Sequence, residues 1–127
     1  MSDTNAILFV DDDEFVLEMY ALKFKQAGFN LEFARDGKEA LTKIAPGKYQ
    51  LIISDMIMPH TNGFDLIEEL DRLGITKTTP VLVLTNLGEE EGKEKCMAHG
   101  ATDYMLKAYS TPTEIVEKVK QIISSHS

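Results

Sequence analysis

The stretch "ILFVDDDEF", residues 7–15, places four apolar residues directly before three consecutive aspartates. A short, continuous apolar run is typical of a strand that is buried on both faces. Carboxylates side by side at the end of such a strand repel one another, and each one disfavours the charged form of the others. The stretch therefore predicts a buried strand that ends at a site where something positive lies among the carboxylates.

Short apolar runs recur along the chain and alternate with segments of helical spacing. The runs are "AILFV" (6–10), "LEFA" (31–34), "YQLIIS" (49–54), "PVLVLT" (80–85) and "DYML" (103–106). Strand and helix alternate five times, which is typical of a parallel sheet covered by helices on both faces. The sequence therefore predicts an α/β fold of five βα units.

Helix boundaries are marked by capping signals. In the last helix, Thr111 is the expected N-cap, Pro112 the first helical residue and Glu114 the closing member of a capping box. The apolar stripe of this helix contains Ile115, Val116, Val119, Ile122 and Ile123. Similar start signals occur in "DGKE" (36–39) and "NGFD" (62–65). The first helix is expected to open near Asp13 or Glu14, with Asp13 as its cap, and the "AGF" turn (27–29) ends it.

The order of the strands follows from their burial. The runs that end at Val10, Ser54 and Thr85 are continuously apolar and are expected at the centre of the sheet, whereas the alternating second run and the short fifth run suit its edges. Right-handed crossovers with one reversal of winding then give a doubly wound sheet of order 2-1-3-4-5. Ligands of such sheets bind beyond the carboxyl ends of the strands at that reversal.

Composition narrows the class of partner. The 127 residues suit one domain, spanning 1–127, and the formal net charge of −8 with a pI near 4.8 disfavours binding to nucleic acid or to a membrane surface. Cys96 is the only cysteine, which favours a reducing cytoplasmic location. No signal peptide pattern is present, and no apolar stretch is long enough to span a bilayer. The expected partners are therefore proteins and cations.

Chemistry-bearing residues follow four of the five strands. Asp11 and Asp12 follow the first strand and Asp55 follows the third, so that their carboxylates are expected to converge on one concavity. Hard oxygen ligands of this kind suit Mg²⁺ or Mn²⁺, with water and a backbone carbonyl able to complete the shell. The fourth strand ends on the hydroxyl of Thr85 and the fifth on the ammonium of Lys107. A metal, a hydroxyl and an ammonium around one carboxylate could bind a phosphoryl group in transfer, which makes Asp55 the expected nucleophile.

These residues carry a resemblance to a known family. The chain resembles the receiver domain of bacterial response regulators in two-component signalling, through "VDDD" (10–13), "SDMIMPHTNG" (54–63), "VLVLTN" (81–86) and "ATDYMLK" (101–107) in family order. The resemblance covers nearly the whole chain and implies the flavodoxin-like (βα)5 fold. It also implies a switch that is activated by phosphorylation and catalyses no reaction other than its own phosphorylation and dephosphorylation.

The resemblance implies roles for individual residues. Asp12 and Asp55 would ligate the metal directly, Asp11 would act mainly through water, and the backbone carbonyl of Ile57 would supply a further ligand. Asp55 would take its phosphoryl group from a histidine kinase, a phosphotransfer protein or a small phosphodonor. Thr85 would then turn towards the phosphoryl oxygens together with Lys107, and Tyr104 would move inward as the switch aromatic residue.

An output surface is expected on the fourth and fifth helices and the fifth strand. The fourth helix, residues 89–99, contains Gly92 and few apolar residues besides Cys96 and Met97, so it has weak intrinsic support. A downstream protein is expected to bind there, with the chain itself a monomer or a weak homodimer. Because the sequence stops after the fifth helix, both a stand-alone receiver and part of a larger regulator are compatible with it.

Other functions fit the sequence less well. A pseudo-receiver, which binds a protein constitutively without being phosphorylated, keeps the fold but does not need the acidic set. A phosphatase of the haloacid dehalogenase type would carry a second aspartate where Ile57 stands. A flavodoxin-like electron carrier would not place "DDDE" (11–14) at its phosphate loop, and no Walker A pattern occurs. None of the three histidines is assigned a role.

Two positions depart from the family pattern. Ala108 follows Lys107 where receivers usually have a proline in a cis peptide, so the bond is expected either to be trans or to be cis and strained. Asn86 stands where alanine or glycine is usual. Together with an apolar rim formed by Ile57 and Leu87, Asn86 is expected to slow hydrolysis of the phosphoaspartate.

Overall fold

The computed structural model describes residues 6–45, 48–56, 63–85 and 90–126. Five strands and five α-helices alternate along this part of the chain, with short 3-10 turns at Ile75–Lys77 and Lys107–Tyr109. The strands are β1 (Ala6–Val10), β2 (Asn30–Ala34), β3 (Leu51–Ser54), β4 (Val81–Thr85) and β5 (Asp103–Leu106). The helices are α1 (Glu14–Gln26), α2 (Gly37–Lys43), α3 (Gly63–Arg72), α4 (Glu90–Ala98) and α5 (Pro112–His126).

The strands form one parallel sheet of order β2-β1-β3-β4-β5, which confirms the predicted order and its winding reversal between β1 and β3. Every residue of β3 and β4 is buried, as are the last four of β1, whereas β2 alternates and β5 is only partly buried. The continuous and the alternating apolar patterns thus predicted the central and the edge strands correctly, because only a central strand is covered on both faces.

Two strands are shorter than their apolar runs. β3 begins at Leu51, since Tyr49 instead buries its ring outside the strand and donates its hydroxyl to Glu32, 2.8 Å away. β4 begins at Val81, because Pro80 has no N–H to donate to a neighbouring strand. The carbonyl of Pro80 still accepts a hydrogen bond from Ile52 at 3.0 Å.

The core lies on both faces of the sheet. On one face, α1 and α5 bury side chains such as Phe24 and Ile115 against β1, β3 and β4. On the other face, α2 and α3 bury Ala40 and Leu70, and a smaller cluster lies between α3, α4 and β4. This two-sided cover leaves the ends of the strands open, so that the residues following them can form a site.

The predicted capping signals are confirmed wherever the structure describes them. Asp13 accepts hydrogen bonds from the N–H groups of Phe15 and Val16 at 3.0 and 3.3 Å. Thr111 and Glu114 form the reciprocal bonds of a capping box at 2.9 and 3.1 Å. The cap expected at position 62 lies outside the described residues, although α3 begins at Gly63 as predicted.

The fourth helix is slightly shorter than the predicted 89–99. α4 ends at Ala98, and Gly100 follows with a φ of +98°, a backbone conformation that glycine adopts without strain and that commonly ends helices. Position 89 lies outside the described residues. None of the helices in the described part of the chain has the length and apolar composition that crossing a membrane requires.

Candidate functional site

The first acidic residue of the site is fixed by the strand that precedes it. Asp11 is only 1% exposed and continues the β1–β2 pairing, because its backbone N–H donates to the carbonyl of Ala34 at 3.0 Å. Its Oδ1 accepts a hydrogen bond from the backbone N–H of Asp13 at 3.0 Å. The turn into α1 therefore holds Oδ1 of Asp11 in place, and Oδ2 is left to accept a bond from another part of the sheet edge.

The neighbouring strand brings in the second buried carboxylate. Val10 pairs with Ser54 in the β1–β3 register, and the N–H of Asp55 donates to the carbonyl of Val10 at 3.0 Å. Asp55 thus lies beside Asp11. One carboxylate oxygen from each of Asp11, Asp12 and Asp55 lies within 4.8 Å of the others, with Asp12 exposed and the other two buried. The predicted convergence of these three carboxylates is confirmed.

A lysine from the far side of the sheet supplies positive charge. Lys107, directly after β5, donates from its Nζ to Oδ2 of Asp11 and to Oδ2 of Asp55, the second contact measuring 2.9 Å. Its side chain is mostly buried, so little water separates the charges. The ammonium therefore bridges the two buried carboxylates and offsets part of the repulsion between them.

Burial and charge act in opposite directions on these groups. Burial raises the pKa of Asp11 above its ordinary value, and the negative charge of Asp55 adds to this, although the bonds from Lys107 and Asp13 oppose it. Burial alone would lower the pKa of Lys107, but its bonds to both carboxylates raise the pKa above the ordinary lysine value. Both pKa values therefore rise, but for opposite reasons. At Asp11 burial outweighs an ammonium that is shared with a second carboxylate, whereas at Lys107 the two anionic partners outweigh burial.

The charge balance of the site fits a divalent cation. Three carboxylates and one ammonium leave a formal excess of two negative charges within a few ångströms. Two of the carboxylates are buried, where an uncompensated charge is costly. The donor set consists of hard oxygen ligands, which Mg²⁺ and Mn²⁺ prefer. Asp11, Asp12 and Asp55 thus form an acidic cluster of the kind that holds such an ion.

The predicted hydroxyl and aromatic residues lie near the same edge. Thr85 is the last residue of β4 and is completely buried, two positions beyond Val83, which pairs with Ser54. Tyr104 pairs with Val83 in the β4–β5 register and packs, partly buried, against a small apolar cluster that includes Met56. The topology therefore brings Thr85 to the end of the sheet where the acidic residues lie. Tyr104 lies two residues further from that end, at the level of Val83.

Several predicted features lie where the structure gives no description. Ile57, expected to offer its carbonyl to the metal, is outside the described residues, as are Asn86 and Leu87 of the expected rim. Ala108 is described, and no peptide bond of the described residues is cis, so the Lys107–Ala108 bond is trans. Of the two conformations that the missing proline left open, this is the unstrained one.

Two contacts of the site carried no signal in the sequence. The backbone N–H of Asp13 orients Asp11, a role that any non-proline residue could perform. Met56, next to Asp55, is buried and lies 3.5 Å from Cys96, measured between Sδ and Sγ, so α4 touches the residue beside the expected nucleophile. A spacing of 40 positions between two sulfur-containing residues is not a pattern that sequence alone can reveal.

The fold and the acidic cluster together define a doubly wound α/β domain. Its acidic residues, of a kind that can bind a cation, lie where the winding of the sheet reverses. Solved structures share this architecture. The receiver domain of Francisella response regulator 1452 is 31% identical, with a TM-score of 0.87 over 96% of this chain and 98% of that one. The chemotaxis protein CheY4 of Vibrio cholerae is also 31% identical, with a TM-score of 0.83 over 94% of this chain and 98% of that one.

The family model of the response regulator receiver domain matches residues 7–120, and the chain belongs to this family. Receiver domains are phosphorylation-activated switches of two-component signalling, and they interact with histidine kinases or phosphotransfer proteins. They are signalling domains rather than conventional enzymes. The predicted fold and the family resemblance are therefore both confirmed.

Curated relatives are transcriptional regulators. The phosphate regulon regulator PhoB of Pseudomonas aeruginosa is 35% identical over 117 residues, which are 92% of this chain and 51% of that protein. The regulator ResD of Bacillus subtilis is 31% identical over 125 residues, which are 97% of this chain and 50% of that protein. The chain thus spans about half the length of these relatives.

Proposed function

We propose that Asp55 accepts a phosphoryl group in a magnesium-dependent reaction and that the modified domain binds a downstream protein. The observation that carries this proposal is the cluster of Asp11, Asp12 and Asp55, with Lys107 bonded to two of its three members. The proposal takes residues 1–127 to form a single receiver domain, and the family match over residues 7–120 supports this.

The proposed metal site uses carboxylates of different exposure. Asp12 and Asp55 would hold Mg²⁺ directly, with the carbonyl of Ile57 as a further ligand. Asp11 would act through water, which suits an aspartate whose two oxygens already accept from Asp13 and Lys107. The bound ion would neutralise charge on the phosphoryl oxygens. Mn²⁺ offers similar ligand preferences and could substitute.

In the transfer step, a carboxylate oxygen of Asp55 forms a bond to phosphorus. The bond from phosphorus to the donor atom breaks at the same time, and the donor leaves with the electron pair. That donor atom is the nitrogen of a phosphohistidine in a kinase or phosphotransfer protein, or the oxygen of a small acyl phosphate. Lys107 then exchanges its bond to Asp55 for one to the new phosphoryl oxygens, and Thr85 donates its hydroxyl to another.

The signal would leave through α4, β5 and α5. α4 rests on few buried side chains, and Met97 on its outer side is 40% exposed, so the helix can shift at modest cost. Movement of Thr85 would be accompanied by Tyr104, which packs in the cluster that contacts α4. The phosphoryl group would then bias a two-state equilibrium of this surface. A cytoplasmic location belongs to the same proposal, because a free thiol such as that of Cys96 stays reduced there.

Incubation with acetyl phosphate and Mg²⁺, followed by intact mass measurement, tests the proposal. The native protein is expected to gain the mass of one phosphoryl group, and the Asp55→Asn variant none. Asp65→Asn, which removes an exposed carboxylate of α3, is the matched control and is expected to react like the native protein. Chelation of the metal with EDTA is expected to stop uptake in both reactive proteins.

Other outcomes would favour the alternatives. A native protein that gains no mass under any of these conditions would point to a pseudo-receiver that binds its partner constitutively. Sustained release of inorganic phosphate from a phosphomonoester, in large molar excess over protein, would point to a phosphatase. Equal uptake by the native protein and Asp55→Asn would place the phosphoryl group on another residue.

A further inference from the structure

The edge strand β2 lies at the floor of an open groove. One edge of β2 pairs with β1, and the other edge pairs with no strand in the part of the chain that the structure describes. α1 and α2 lie on either side of this open edge, and the three elements together line a groove of about 600 Å³. An unpaired strand edge is a place where an extended peptide can add to a sheet.

The hydrogen bonds of β2 show which of its backbone groups face the groove. The carbonyl of Ala34 accepts a hydrogen bond from the N–H of Asp11 at 3.0 Å, so the backbone of Ala34 faces β1. Because this direction alternates along a strand, the N–H and C=O groups of Leu31 and Phe33 face the open edge. They repeat every two residues, roughly 6.6 Å, which is also the repeat of the groups that an added strand would present.

Two side chains of α2 already contact this edge. Nζ of Lys43 donates a hydrogen bond to the carbonyl of Phe33, and Oε1 of Glu39 accepts one from the N–H of Arg35 at 2.9 Å. Lysines at sheet edges are typical devices against unwanted strand pairing. The ammonium of Lys43 lies at the end of a flexible side chain, so a backbone N–H of an incoming strand can take its place on the carbonyl.

The side chains of the groove favour an occupant that is both basic and apolar. The lining contains four glutamates, one arginine and one lysine, a formal excess of two negative charges. Two of the glutamates form ion pairs with the arginine and the lysine, at 2.6 and 3.5 Å. The excess therefore lies on the other two, Glu18 and Glu32, which are exposed. Glu32 also accepts the hydroxyl of Tyr49 at 2.8 Å, which holds its carboxylate in place, while Leu17 and Phe33 supply apolar surface.

We propose that the open edge of β2 is a docking site for an extended segment of a partner protein in which basic and apolar residues alternate. The segment displaces Lys43 from the carbonyl of Phe33 and adds a strand to the sheet. Successive side chains of a strand point to opposite faces, so the apolar ones lie beside Leu17 and the basic ones beside Glu32. This site lies at the opposite edge of the sheet from β5 and is separate from the surface that the proposed function uses.

A basic segment suits the groove better than a second copy of this chain. Each copy has a formal net charge of −8, so two copies repel each other. Pairing β2 with another β2 would also bring two copies of the exposed Glu32 to the same interface, and like charges across a strand pair are destabilising. The charge of the groove therefore favours a partner of opposite charge.

NMR titration of the isotope-labelled chain with a blocked hexapeptide of alternating valine and lysine tests the proposal. The amide signals of Leu31 and Phe33 are expected to shift and their hydrogen exchange to slow, because these N–H groups gain hydrogen-bond partners. A hexapeptide of alternating valine and glutamate is the matched control. It is expected to bind at least about tenfold more weakly, because its charges repel those of the groove.

Two N-methylated forms of the valine–lysine peptide test whether main-chain pairing carries the binding. Alternate N–H groups of a strand point to opposite edges, so methylation of the valine nitrogens and of the lysine nitrogens removes donors from different edges. One of the two peptides is expected to lose at least about tenfold in affinity, and the other less than about threefold. This comparison requires no change in the protein.

Three variants of the chain locate the site. Lys43→Met removes the competitor for the carbonyl of Phe33 and is expected to tighten binding of the valine–lysine peptide at least about threefold. Glu32→Lys reverses a charge of the groove and is expected to weaken binding at least about tenfold. Glu68→Lys makes the same change at an exposed residue of α3 outside the groove and is expected to leave binding within a factor of about two. Circular dichroism melting curves show whether each variant is folded.

Specific results would overturn the proposal. Strand addition is excluded if the signals of Leu31 and Phe33 do not respond to the peptide, or if both N-methylated peptides bind as well as their parent. A Lys43→Met variant that binds no more tightly than the native chain contradicts the displacement step. A dimer in sedimentation velocity without peptide, strengthened by Lys43→Met, assigns the edge to a second copy instead. Because none of these measurements involves magnesium or phosphorylation, the proposed function can fail while this site stands, and the reverse also holds.

Discussion

Lys107 and Asp55, which lie 52 positions apart in the sequence, are joined by a hydrogen bond of 2.9 Å between Nζ and Oδ2. The same ammonium also bonds to Asp11, so one cation serves two buried carboxylates. The positive charge that the three adjacent aspartates require is thus supplied in part by the protein itself. The remaining formal excess of two negative charges at the site matches the charge of a divalent cation.

Replacing Lys107 with methionine should destabilise the metal-free protein by about 3 kcal/mol, since it leaves two buried carboxylates without their shared ammonium. Millimolar Mg²⁺ should recover part of this loss, because the ion then replaces the missing positive charge. Urea unfolding curves with and without Mg²⁺ measure both effects.

Lys118→Met is the matched control for the Lys107 experiment. Lys118 contacts Asp103 at 2.8 Å, but both side chains are about one third exposed, so this loss should be below about 1 kcal/mol and insensitive to Mg²⁺. Equal losses in the two variants would mean that the bridge at the site is no stronger than a surface ion pair.

Asp12 and Asp13 are adjacent carboxylates that should respond in opposite ways to substitution. Asp13 caps α1, so Asp13→Ala should lower the free energy of unfolding by about 1 kcal/mol and leave Mg²⁺ affinity within a factor of about two. Asp12 is exposed and has no capping role, so Asp12→Ala should leave stability nearly unchanged and weaken Mg²⁺ binding at least tenfold.

Isothermal titration with Mg²⁺ and urea unfolding in EDTA together separate the two roles. Asp13→Asn retains a capping oxygen and should recover the stability that Asp13→Ala loses. The assignment of roles would be wrong if Asp13→Ala weakened Mg²⁺ binding as much as Asp12→Ala.

Thr111→Ala should lower the free energy of unfolding by about 1 kcal/mol, because it removes the oxygen that accepts the N–H of Glu114 at 3.1 Å.

Glu114 has a pKa below its ordinary value, chiefly because it accepts the backbone N–H of Thr111. A carboxyl whose pKa is lower in the folded state contributes stability above its unfolded pKa, and this contribution is lost as pH falls. Chemical unfolding at pH 7 and pH 3 should therefore show a smaller contribution of Glu114 at pH 3, with Glu114→Gln, which cannot titrate, as the comparison.

The parts of the fold that could be predicted are those encoded by short stretches of sequence. The caps at Asp13, Asp36 and Thr111 act within three residues, and the burial of a strand is written in its own run of apolar residues. The strand order followed because few topologies satisfy right-handed crossovers and central burial together. The positions of Asp11 and Asp55 follow from that order alone, since each comes directly after its strand.

Contacts between distant residues set the limit of prediction. Lys107 was expected at the site, but its bond to Asp11 spans 96 positions and depends on side-chain conformation rather than on any spacing. The contact of Cys96 with Met56 likewise depends on how α4 packs, and α4 has a weak apolar pattern of its own. The start of β3 was predicted two residues too early because Tyr49 is as apolar as a strand residue yet packs outside the strand.

Cys96 should report on the packing of α4 beside the site. Burial raises the pKa of its thiol to about 11, so at pH 8 the folded protein should react with iodoacetamide about 100-fold more slowly than the protein unfolded in urea. Met56→Ala should accelerate the reaction, because it leaves a cavity against the thiol and loosens α4. Met56→Leu retains the volume and should change the rate by less than about threefold. Mass spectrometry of timed samples gives the rates, and a native thiol that reacts as fast as the unfolded one would show that Cys96 is not buried in solution.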